Sequence, residues 1–212
     1  MKPLVMVGAG PGSLPRIVAE AAEARGKPLA GYLDIGPDPK PPTTPLRRLG
    51  DESLLDDPAF LAVHDLVVAV QGKERRTIFE AILAAGGTLP VLIHPAAAIS
   101  TTAHLGDGTV VSAGVIVQSD ARIGRFCMLN TGCTIDHDNV VGDSVSIAPG
   151  AHTAGYVTIG DGAFIGLGAL IIGGVKVGAR ATVGAGAVVV RDVAEGATVV
   201  GNPARPLPPK PR

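Results

Sequence analysis

The chain has 212 residues, of which 46% are hydrophobic and 17% charged, and its formal net charge is −1. This length allows one large domain or two small ones, and the near-neutral charge argues against a nucleic-acid-binding surface and an acidic tail. No membrane span is expected, because the longest run without charged residues, 81–106, is interrupted by glycines and prolines, and the N-terminus lacks the apolar segment of a signal peptide. We therefore expect a cytoplasmic protein that binds neither nucleic acid nor membrane.

The N-terminal segment is typical of the opening of a Rossmann-like half, with a strand, a glycine-rich turn, a helix and a second strand. Apolar residues 3–7 predict the first strand, and residues 8–13 the turn. Apolar residues at helical spacing predict a helix over 14–25, which Gly26 can end. Residues 29–35 predict the second strand.

The glycines of the turn, Gly8, Gly10 and Gly12, do not match G-x-G-x-x-G, because position 13 is serine. Even so, a glycine turn before a helix N-terminus offers backbone N–H groups to a phosphate. Asp34, at the end of the second strand, could accept hydrogen bonds from a ribose or a base. The alternative is a tight turn beside a solvated carboxylate.

The rest of the first 95 residues continues the alternation of strands and helices. Proline-rich residues 36–48 predict an extended loop without regular structure. They are followed by a predicted short helix at 51–62, a strand at 65–70, a helix at 74–85 and a fourth strand at 90–93. This order predicts a small parallel sheet in an N-terminal domain of residues 1–95, with the loops after Gly8, Asp34 and Gln71 at its ligand edge.

A six-residue period dominates the stretch from Ile99 to Val189. Every sixth residue is a branched aliphatic, with Thr153 as the one exception. Two residues before each aliphatic lies a second register of small or β-branched residues, which also contains Cys127, Cys133 and Asn139. Such a period matches neither a helix nor a single strand, and it predicts a parallel β-helix with the aliphatics inside. The two cysteines are expected to be core thiols.

Three hexapeptides would close one triangular coil. Glycines spaced three hexapeptides apart support this number and would stack in one column where the chain bends tightly: Gly106, Gly124, Gly142, Gly160 and Gly178. The alternative is another glycine-rich β-solenoid. The repeat fails after Val189, where Glu195 occupies the next aliphatic position. We expect a β-helix domain over residues 96–205 and a proline-rich tail over 206–212.

One coil carries a polar cluster, with Asn130 and Thr131 followed by Asp136-His137-Asp138-Asn139. A prism with a filled core has no internal pocket, so a deep site would need a second subunit, and we expect a trimer. Carboxylates beside an imidazole fix its tautomer and suit it to general-base catalysis. Gly155 lies one full coil after His137, where its N–H could stabilise an oxyanion. The alternative is a solvated histidine between two aspartates.

A metal site is not expected from the histidine spacing. The separations between His104, His137 and His152 do not correspond to whole coils, so no two of these histidines lie one coil apart. Three imidazoles on one zinc ion would need matching positions in neighbouring coils.

These motifs together resemble a known family. They are Gly8-Ala9-Gly10, Leu92-Ile93-His94-Pro95, Leu129-Asn130-Thr131, Asp136-His137-Asp138, Ala154-Gly155 and Val200-Gly201-Asn202-Pro203-Ala204-Arg205. The chain is similar to the sugar O-acyltransferases of the sialic acid O-acetyltransferase type. That group includes N-acetyltransferases acting on nucleotide-linked 4-amino-4,6-dideoxy sugars. The resemblance implies a left-handed β-helix and acetyl-CoA as cosubstrate.

The resemblance also implies residue roles. In the β-helix, His137 would take a proton from the sugar's amine, Asp138 would orient His137, and Asn130 would hold the sugar. The Gly155 N–H would face the thioester carbonyl, and Arg205 would meet a phosphate of CoA. Gly8, Gly10, Gly12 and Asp34 would hold the nucleotide.

The chain departs from the family pattern at two places. It has Ser13-Leu14-Pro15-Arg16 where many relatives carry a histidine and a basic residue after the glycine turn. It has Ser146 where several relatives carry a second histidine following the catalytic one. The leading hypothesis is direct acetyl transfer to the amine of a nucleotide-linked sugar in a homotrimer with its sites between subunits. The alternatives are sugar O-acetylation and a non-catalytic trimeric nucleotide-binding scaffold.

Overall fold

A computed structural model describes residues 2–10, 12–36, 42, 45–70 and 74–208. The chain divides into two compact units, Met1–Pro95 and Ala96–Arg212. Gln71, expected at the ligand edge of the sheet, lies outside the described residues. So do Pro11, most of the proline-rich segment 37–44 and residues 209–212 of the tail.

The first unit contains a four-stranded parallel sheet of Rossmann-like form, as predicted. Its strands and helices in chain order are β1 (Leu4–Val7), α1 (Ser13–Ala24), β2 (Leu29–Asp34), β3 (Arg48–Asp51), a 3₁₀ helix (Glu52–Asp56), α2 (Pro58–Val63), β4 (Asp65–Val68), α3 (Glu74–Ala84) and β5 (Leu92–Ile93). The sheet order is β3-β2-β1-β4. All four residues of β1 are buried, as expected for a central strand covered on both faces.

The edge strand of this sheet was not foreseen. The prediction of a sheet strand at 90–93 is wrong, because β3 fills the edge and β5 is not one of the four strands. Strand β3 begins at Arg48, the last residue of the predicted loop, whose other described residues have no regular structure. Gly31 permits this pairing, since a Cβ there would clash with the Arg47 carbonyl oxygen. The short helix expected at 51–62 is divided into two, each capped by an aspartate side chain, Asp51 and Asp57.

The second unit is a parallel β-helix whose two-residue strands form three sheets, one for each face of a prism. Face 1 contains Ala98–Ile99, Ile116–Val117, Thr134–Ile135, His152–Thr153, Leu170–Ile171 and Val188–Val189. Face 2 contains His104–Leu105, Arg122–Ile123, Val140–Val141, Thr158–Ile159 and Lys176–Val177. Face 3 contains Val110–Val111, Met128–Leu129, Ser146–Ile147, Phe164–Ile165, Thr182–Val183 and Thr198–Val200.

The hexapeptide registers are confirmed as the core of this prism. Each strand pairs with the equivalent strand of the next coil, as Thr134 does with His152. From Val111 to Val189 every aliphatic-register residue, Thr153 included, is at most 5% exposed. The small-residue register from Thr109 to Ala187 is equally buried and forms the corners. Both cysteines are free and buried, as expected.

The glycine column is present, but the reason first given for it is wrong. These glycines have ordinary negative φ angles and are required because the next coil approaches closely: a Cβ on Gly160 would lie 2.5 Å from the Ala179 nitrogen. The residues with positive, left-handed φ angles lie at a different position of the repeat, one in each turn: Gly108, Gly114, Asp120, Phe126, Gly132, Asp138, Ser144, Gly150, Tyr156, Gly162, Gly168, Gly174, Arg180 and Gly186. Non-glycine residues at such angles are uncommon, and bulky ones are strained.

The C-terminal end of the prism is closed by the chain itself. Strand Arg205–Pro206 turns back antiparallel on Thr198–Val200, and the Leu207 N–H donates to the Thr198 carbonyl at 2.8 Å. This pairing covers part of the last open edge of face 3. Among the described residues, no helix combines the length and hydrophobicity that crossing a bilayer requires.

Candidate active site

His137 lies at the corner between faces 1 and 2, directly after strand Thr134–Ile135. Asp138 follows it in the left-handed region, with φ 55°, which aspartate tolerates better than most residues. Both side chains project outward, 47% and 42% exposed. The cluster is therefore open to ligands, as its outward position in the repeat predicted.

The two flanking carboxylates do different things. The Asp138 Oδ2 lies 2.9 Å from the imidazole Nδ1, whereas Asp136 accepts from the His137 backbone N–H at 2.7 Å. A carboxylate only accepts, so Nδ1 carries the proton and Nε2 presents its lone pair. The hydrogen bond to Asp138, with a smaller charge effect from Asp136, raises the pKa of His137 above its usual value.

Gly155 lies against the imidazole in the next coil. A Cβ at this position would sit 2.5 Å from Cε1 and 2.6 Å from Nε2 of His137, so a side chain and the ring cannot share this space. In the part of the chain that the structure describes, the Gly155 N–H donates no hydrogen bond. The Tyr156 ring packs edge-on against the imidazole, with centroids 5.1 Å apart, and Tyr156 is 65% exposed.

Asn130 lies at a different corner of the same coil. It follows strand Met128–Leu129 of face 3, so the whole width of face 1 separates it from His137. A single chain does not bring these two side chains together, although both are in the predicted site.

Two polar side chains around His137 had no role predicted for them: Asn139 was part of the polar cluster and of the small-residue register, and Thr153 was the exception in the aliphatic register. Asn139, fully buried, donates from Nδ2 to the carbonyls of Ala154 and His137. The Thr153 hydroxyl, 5% exposed, accepts from the Asp136 N–H at 3.3 Å. The signal was present in the sequence, because both are polar exceptions in otherwise mostly apolar registers.

In the first unit, the three glycines differ in what they contribute. Gly8 has φ 80°, and a Cβ there would clash with the Val70 side chain. Glycine is therefore required at this position by the conformation and packing of the turn. Gly10 has open space around its Cα. Gly12 precedes α1, whose first turn has neither a side-chain cap nor an acidic residue, which leaves its N–H groups and positive dipole end available to an anion.

Asp34 has a partner that was not anticipated. The Arg48 Nε lies 2.5 Å from its carboxylate, and this hydrogen bond raises the pKa of Arg48. Asp34 is only 12% exposed. Together they border a cavity of about 640 Å³ lined by Asp34, Gly36, Arg48, Asp51, Glu52, Ser53 and Asp56. A ribose or base bound here would share the Asp34 carboxylate with Arg48.

Arg205, the residue expected to meet CoA, is exposed and donates from Nη1 to the Ala204 carbonyl at 2.9 Å.

Neither a thiol nucleophile nor a metal site is found among the described residues. Burial raises the pKa of Cys133 to about 12, so this thiol is not a nucleophile near neutral pH. Within the described ranges, no group of three or more His, Cys, Asp or Glu side chains is arranged to hold a metal ion. The His152 Nδ1 is paired with the Thr134 hydroxyl at 2.8 Å.

Comparisons with known proteins agree with this architecture. The family model for the hexapeptide repeat of succinyl-transferase matches residues 156–191. No curated protein matches the chain.

Solved structures match nearly the whole chain. The acetyltransferase domain of PglB from Neisseria gonorrhoeae is 38% identical, with a TM-score of 0.86 over 96% of this chain and 98% of that domain. A mutant of perosamine N-acetyltransferase from Caulobacter crescentus, solved with CoA and GDP-perosamine, is 33% identical, with a TM-score of 0.87 over 97% and 96%. WeeI from Acinetobacter baumannii is 26% identical, with a TM-score of 0.84 over 98% and 100%.

Proposed function

Since this chain belongs to the hexapeptide-repeat family of left-handed β-helix sugar acyltransferases, we propose that it transfers the acetyl group of acetyl-CoA to the amine of a nucleotide-linked 4-amino-4,6-dideoxy sugar. The protein is an acyltransferase; the acceptor and the mechanism are the proposal. The observation that carries it is His137, whose Nδ1 is held by Asp138 while Nε2 faces the side-chain-free turn at Gly155. Solved relatives with bound acetyl coenzyme A, and with CoA and GDP-perosamine, support both substrates.

The proposed reaction is a direct transfer with His137 as general base. The sugar's amine nitrogen attacks the thioester carbonyl carbon, and Nε2 of His137 takes the proton that the nitrogen loses. Collapse of the tetrahedral intermediate breaks the C–S bond, and the proton passes to the departing sulfur as CoA thiol. The unengaged Gly155 N–H would stabilise the oxyanion. A thioester is already activated, so no covalent enzyme intermediate is needed, which agrees with the buried Cys133 thiol.

The other ligand contacts of the proposal follow from residues on both units. Gly10 and Gly12 would offer backbone N–H groups to the nucleotide phosphates, next to the uncapped start of α1. Gly8 shapes that turn, and Asp34 would accept from the ribose or base. Arg205, exposed at the end of the prism, would bind a phosphate of CoA.

We expect Asp138→Asn to move the acid limb of the kcat/KM profile to lower pH. Asp138 raises the pKa of His137, and the base acts in its neutral form. The midpoint of the acid limb therefore lies at a pH above the ordinary imidazole pKa. Removing the charge lowers that pKa, and neutral imidazole then persists in more acidic solution. Asparagine tolerates φ 55° and still accepts from Nδ1, so the turn should remain intact.

The measurement is kcat/KM from pH 5 to 9 for both proteins. The plateau should also fall, because a neutral amide stabilises the developing imidazolium less than a carboxylate does. A limb that stays in place, or moves to higher pH, would mean that the titrating group is not His137 paired with Asp138.

A trimer is proposed from the exposed apolar residues of face 1. Leu170 projects from this face, 44% exposed, and Leu167 and Ile172 lie at its two edges in the same coil, 58% and 45% exposed. Ile116, 39% exposed, lies on the same face three coils earlier, beyond Thr134 and His152. Large exposed apolar side chains grouped in one coil mark an interaction site, and a second copy is the simplest partner. If face 1 points toward a threefold axis, the edge with Asn130 in one copy meets the edge with His137 in the next.

Mixed trimers test this arrangement. Asn130→Ala and His137→Ala subunits, each inactive alone, should regain activity when they assemble together, because an interface with both intact residues forms between unlike subunits. Random mixing restores about a quarter of the sites. Light scattering verifies the trimer, and differently tagged subunits verify mixing. Activity equal to the sum of the two parents would place both residues of a site in one subunit.

The reaction is tested by thiol release from acetyl-CoA with UDP-, GDP- and dTDP-linked 4-amino sugars and free sialic acid. Turnover of one amino sugar, with the acetylated amine identified by mass spectrometry, is the expected result. Turnover of sialic acid alone would assign O-acetylation instead. If no compound of the panel is turned over although nucleotide binding is intact, the result would favour a non-catalytic trimeric scaffold.

A further inference from the structure

Asn139 is a polar side chain in a place built for apolar ones. It occupies the small-residue register at the corner that carries His137, and it is 0% exposed. Ala121 and Val157 hold the same position in the coils before and after, and both are buried. A primary amide here needs a specific reason, since burying polar atoms costs free energy unless they are hydrogen-bonded.

The amide of Asn139 bonds to two carbonyls at once. Its Nδ2 donates to the Ala154 oxygen at 2.8 Å and to the His137 oxygen at 3.2 Å. Because both partners are acceptors, the NH₂ group must face them, which fixes the orientation of the amide. Oδ1 is buried with no partner in the part of the chain that the structure describes. The side chain thus gives up one hydrogen bond to make these two.

The two carbonyls belong to the two turns that form the candidate site. One is the backbone of His137 itself, and the other belongs to Ala154, the residue before Gly155. Thr153 is the polar exception in the aliphatic register. Its hydroxyl also bonds to this region: it accepts from the Asp136 N–H and donates to the Thr134 carbonyl. Both registers therefore place hydrogen-bonding side chains around the turn of His137.

We propose that Asn139 is a positioning residue that sets the distance between the His137 imidazole and the Gly155 N–H. This rests on the proposed function, in which those two groups act on one carbonyl centre. Asn139 contacts no substrate. The Tyr156 N–H also donates to the His137 carbonyl, at 3.1 Å, so the two turns keep one backbone bond without Asn139. What the amide adds is the bond from the corner of His137 to Ala154, next to Gly155. Loss of that bond would let the two groups shift relative to each other, and displacement of a catalytic group by about 1 Å can cost 10²-fold in rate.

The chain offers a matched control in Thr109. It lies in the same register at another corner, fully buried, where its hydroxyl donates to the Gly124 carbonyl at 3.0 Å and accepts from the Cys127 N–H at 3.0 Å. Thr109 thus links two coils as Asn139 does, but it bonds to no residue of the His137 turn. Valine fits this register, as Val145 and Val157 show.

The experiment compares Asn139→Val with Thr109→Val in the full-length protein. Asn139→Val should lower kcat about 10- to 100-fold, with KM for the nucleotide sugar unchanged because the proposed nucleotide contacts lie in the other unit. Thr109→Val should leave kcat near wild type. Thermal midpoints of the two variants should fall within about 4 °C of each other. Asn139→Thr, which retains one donor for a carbonyl, should recover most of kcat.

The proposal is wrong if Asn139→Val keeps wild-type kcat, or if both valine variants lose kcat equally with equal loss of stability. It is also wrong if Asn139→Thr is as slow as Asn139→Val, since a donor to a carbonyl would then not matter. These outcomes concern Asn139 alone. Failure of the proposed function would appear instead as wild-type activity in His137→Ala.

Discussion

Replacement of His137 by alanine is expected to lower kcat/KM by about 10²- to 10⁴-fold, the usual contribution of a general base. The alanine enzyme loses the imidazole nitrogen that takes the proton as the amine attacks, and the Asp138 carboxylate is bonded to Nδ1, not to the Nε2 that faces Gly155. The fold should survive, because the ring is 47% exposed and none of the core depends on it. Thiol release at saturating acetyl-CoA measures the loss.

A pH profile makes this test specific. The acid limb that belongs to the raised pKa of His137 should vanish in the alanine variant, leaving only the ionisation of the sugar's own amine. His104→Ala is the matched control, because His104 is also exposed but lies on face 2 in the first coil. Equal losses in the two variants would show that the effect is not catalytic.

Gly155→Ala is expected to lower kcat by about 10²-fold or more without unfolding the protein. The new Cβ would lie 2.5 Å and 2.6 Å from two atoms of the imidazole, so the exposed ring must swing away and give up its geometry against Asp138. Gly155 does not have a left-handed φ, so alanine fits the backbone. The N–H of residue 155 is retained, and the variant therefore tests ring position alone.

A double-mutant cycle separates this effect from others. If Gly155→Ala acts only by moving the ring, it should cause no further loss in the His137→Ala background, and the two effects will be strongly non-additive. Gly173→Ala is the matched glycine one coil further on, where a Cβ would meet the Gly155 oxygen at 3.1 Å and no imidazole atom. Additive losses at Gly155 and His137 would contradict the steric explanation.

The repeat was readable from sequence because a β-helix is built from local rules. Each hexapeptide supplies one inward aliphatic and one small corner residue, so the pattern reports burial without knowledge of distant contacts. The same arithmetic placed Gly155 next to His137, since a step of three hexapeptides is one coil. Both positions follow from strand pairing with an unbroken register, as between Thr134 and His152.

The N-terminal sheet was less predictable because its edge depends on packing between segments distant in sequence. Strand β3 follows a proline-rich stretch and gives no strand signal of its own. It pairs with β2 because Gly31 lets the Arg47 carbonyl approach, and the Arg48 side chain then reaches Asp34. A carboxylate that looked free at the end of a strand therefore has an ion-pair partner.

What the sequence alone determined is the prism, its filled core and the corner that carries His137, because a period of six residues repeats one local geometry. Only the tertiary structure decided which polar side chains hold that corner together. The sequence marks Asn139 as part of the polar cluster and Thr153 as the exception in the aliphatic register, but their bonds to the turns of neighbouring coils are visible only in the structure. Periodicity reports whether a side chain faces inward, whereas a hydrogen bond depends on which atoms of another coil it meets.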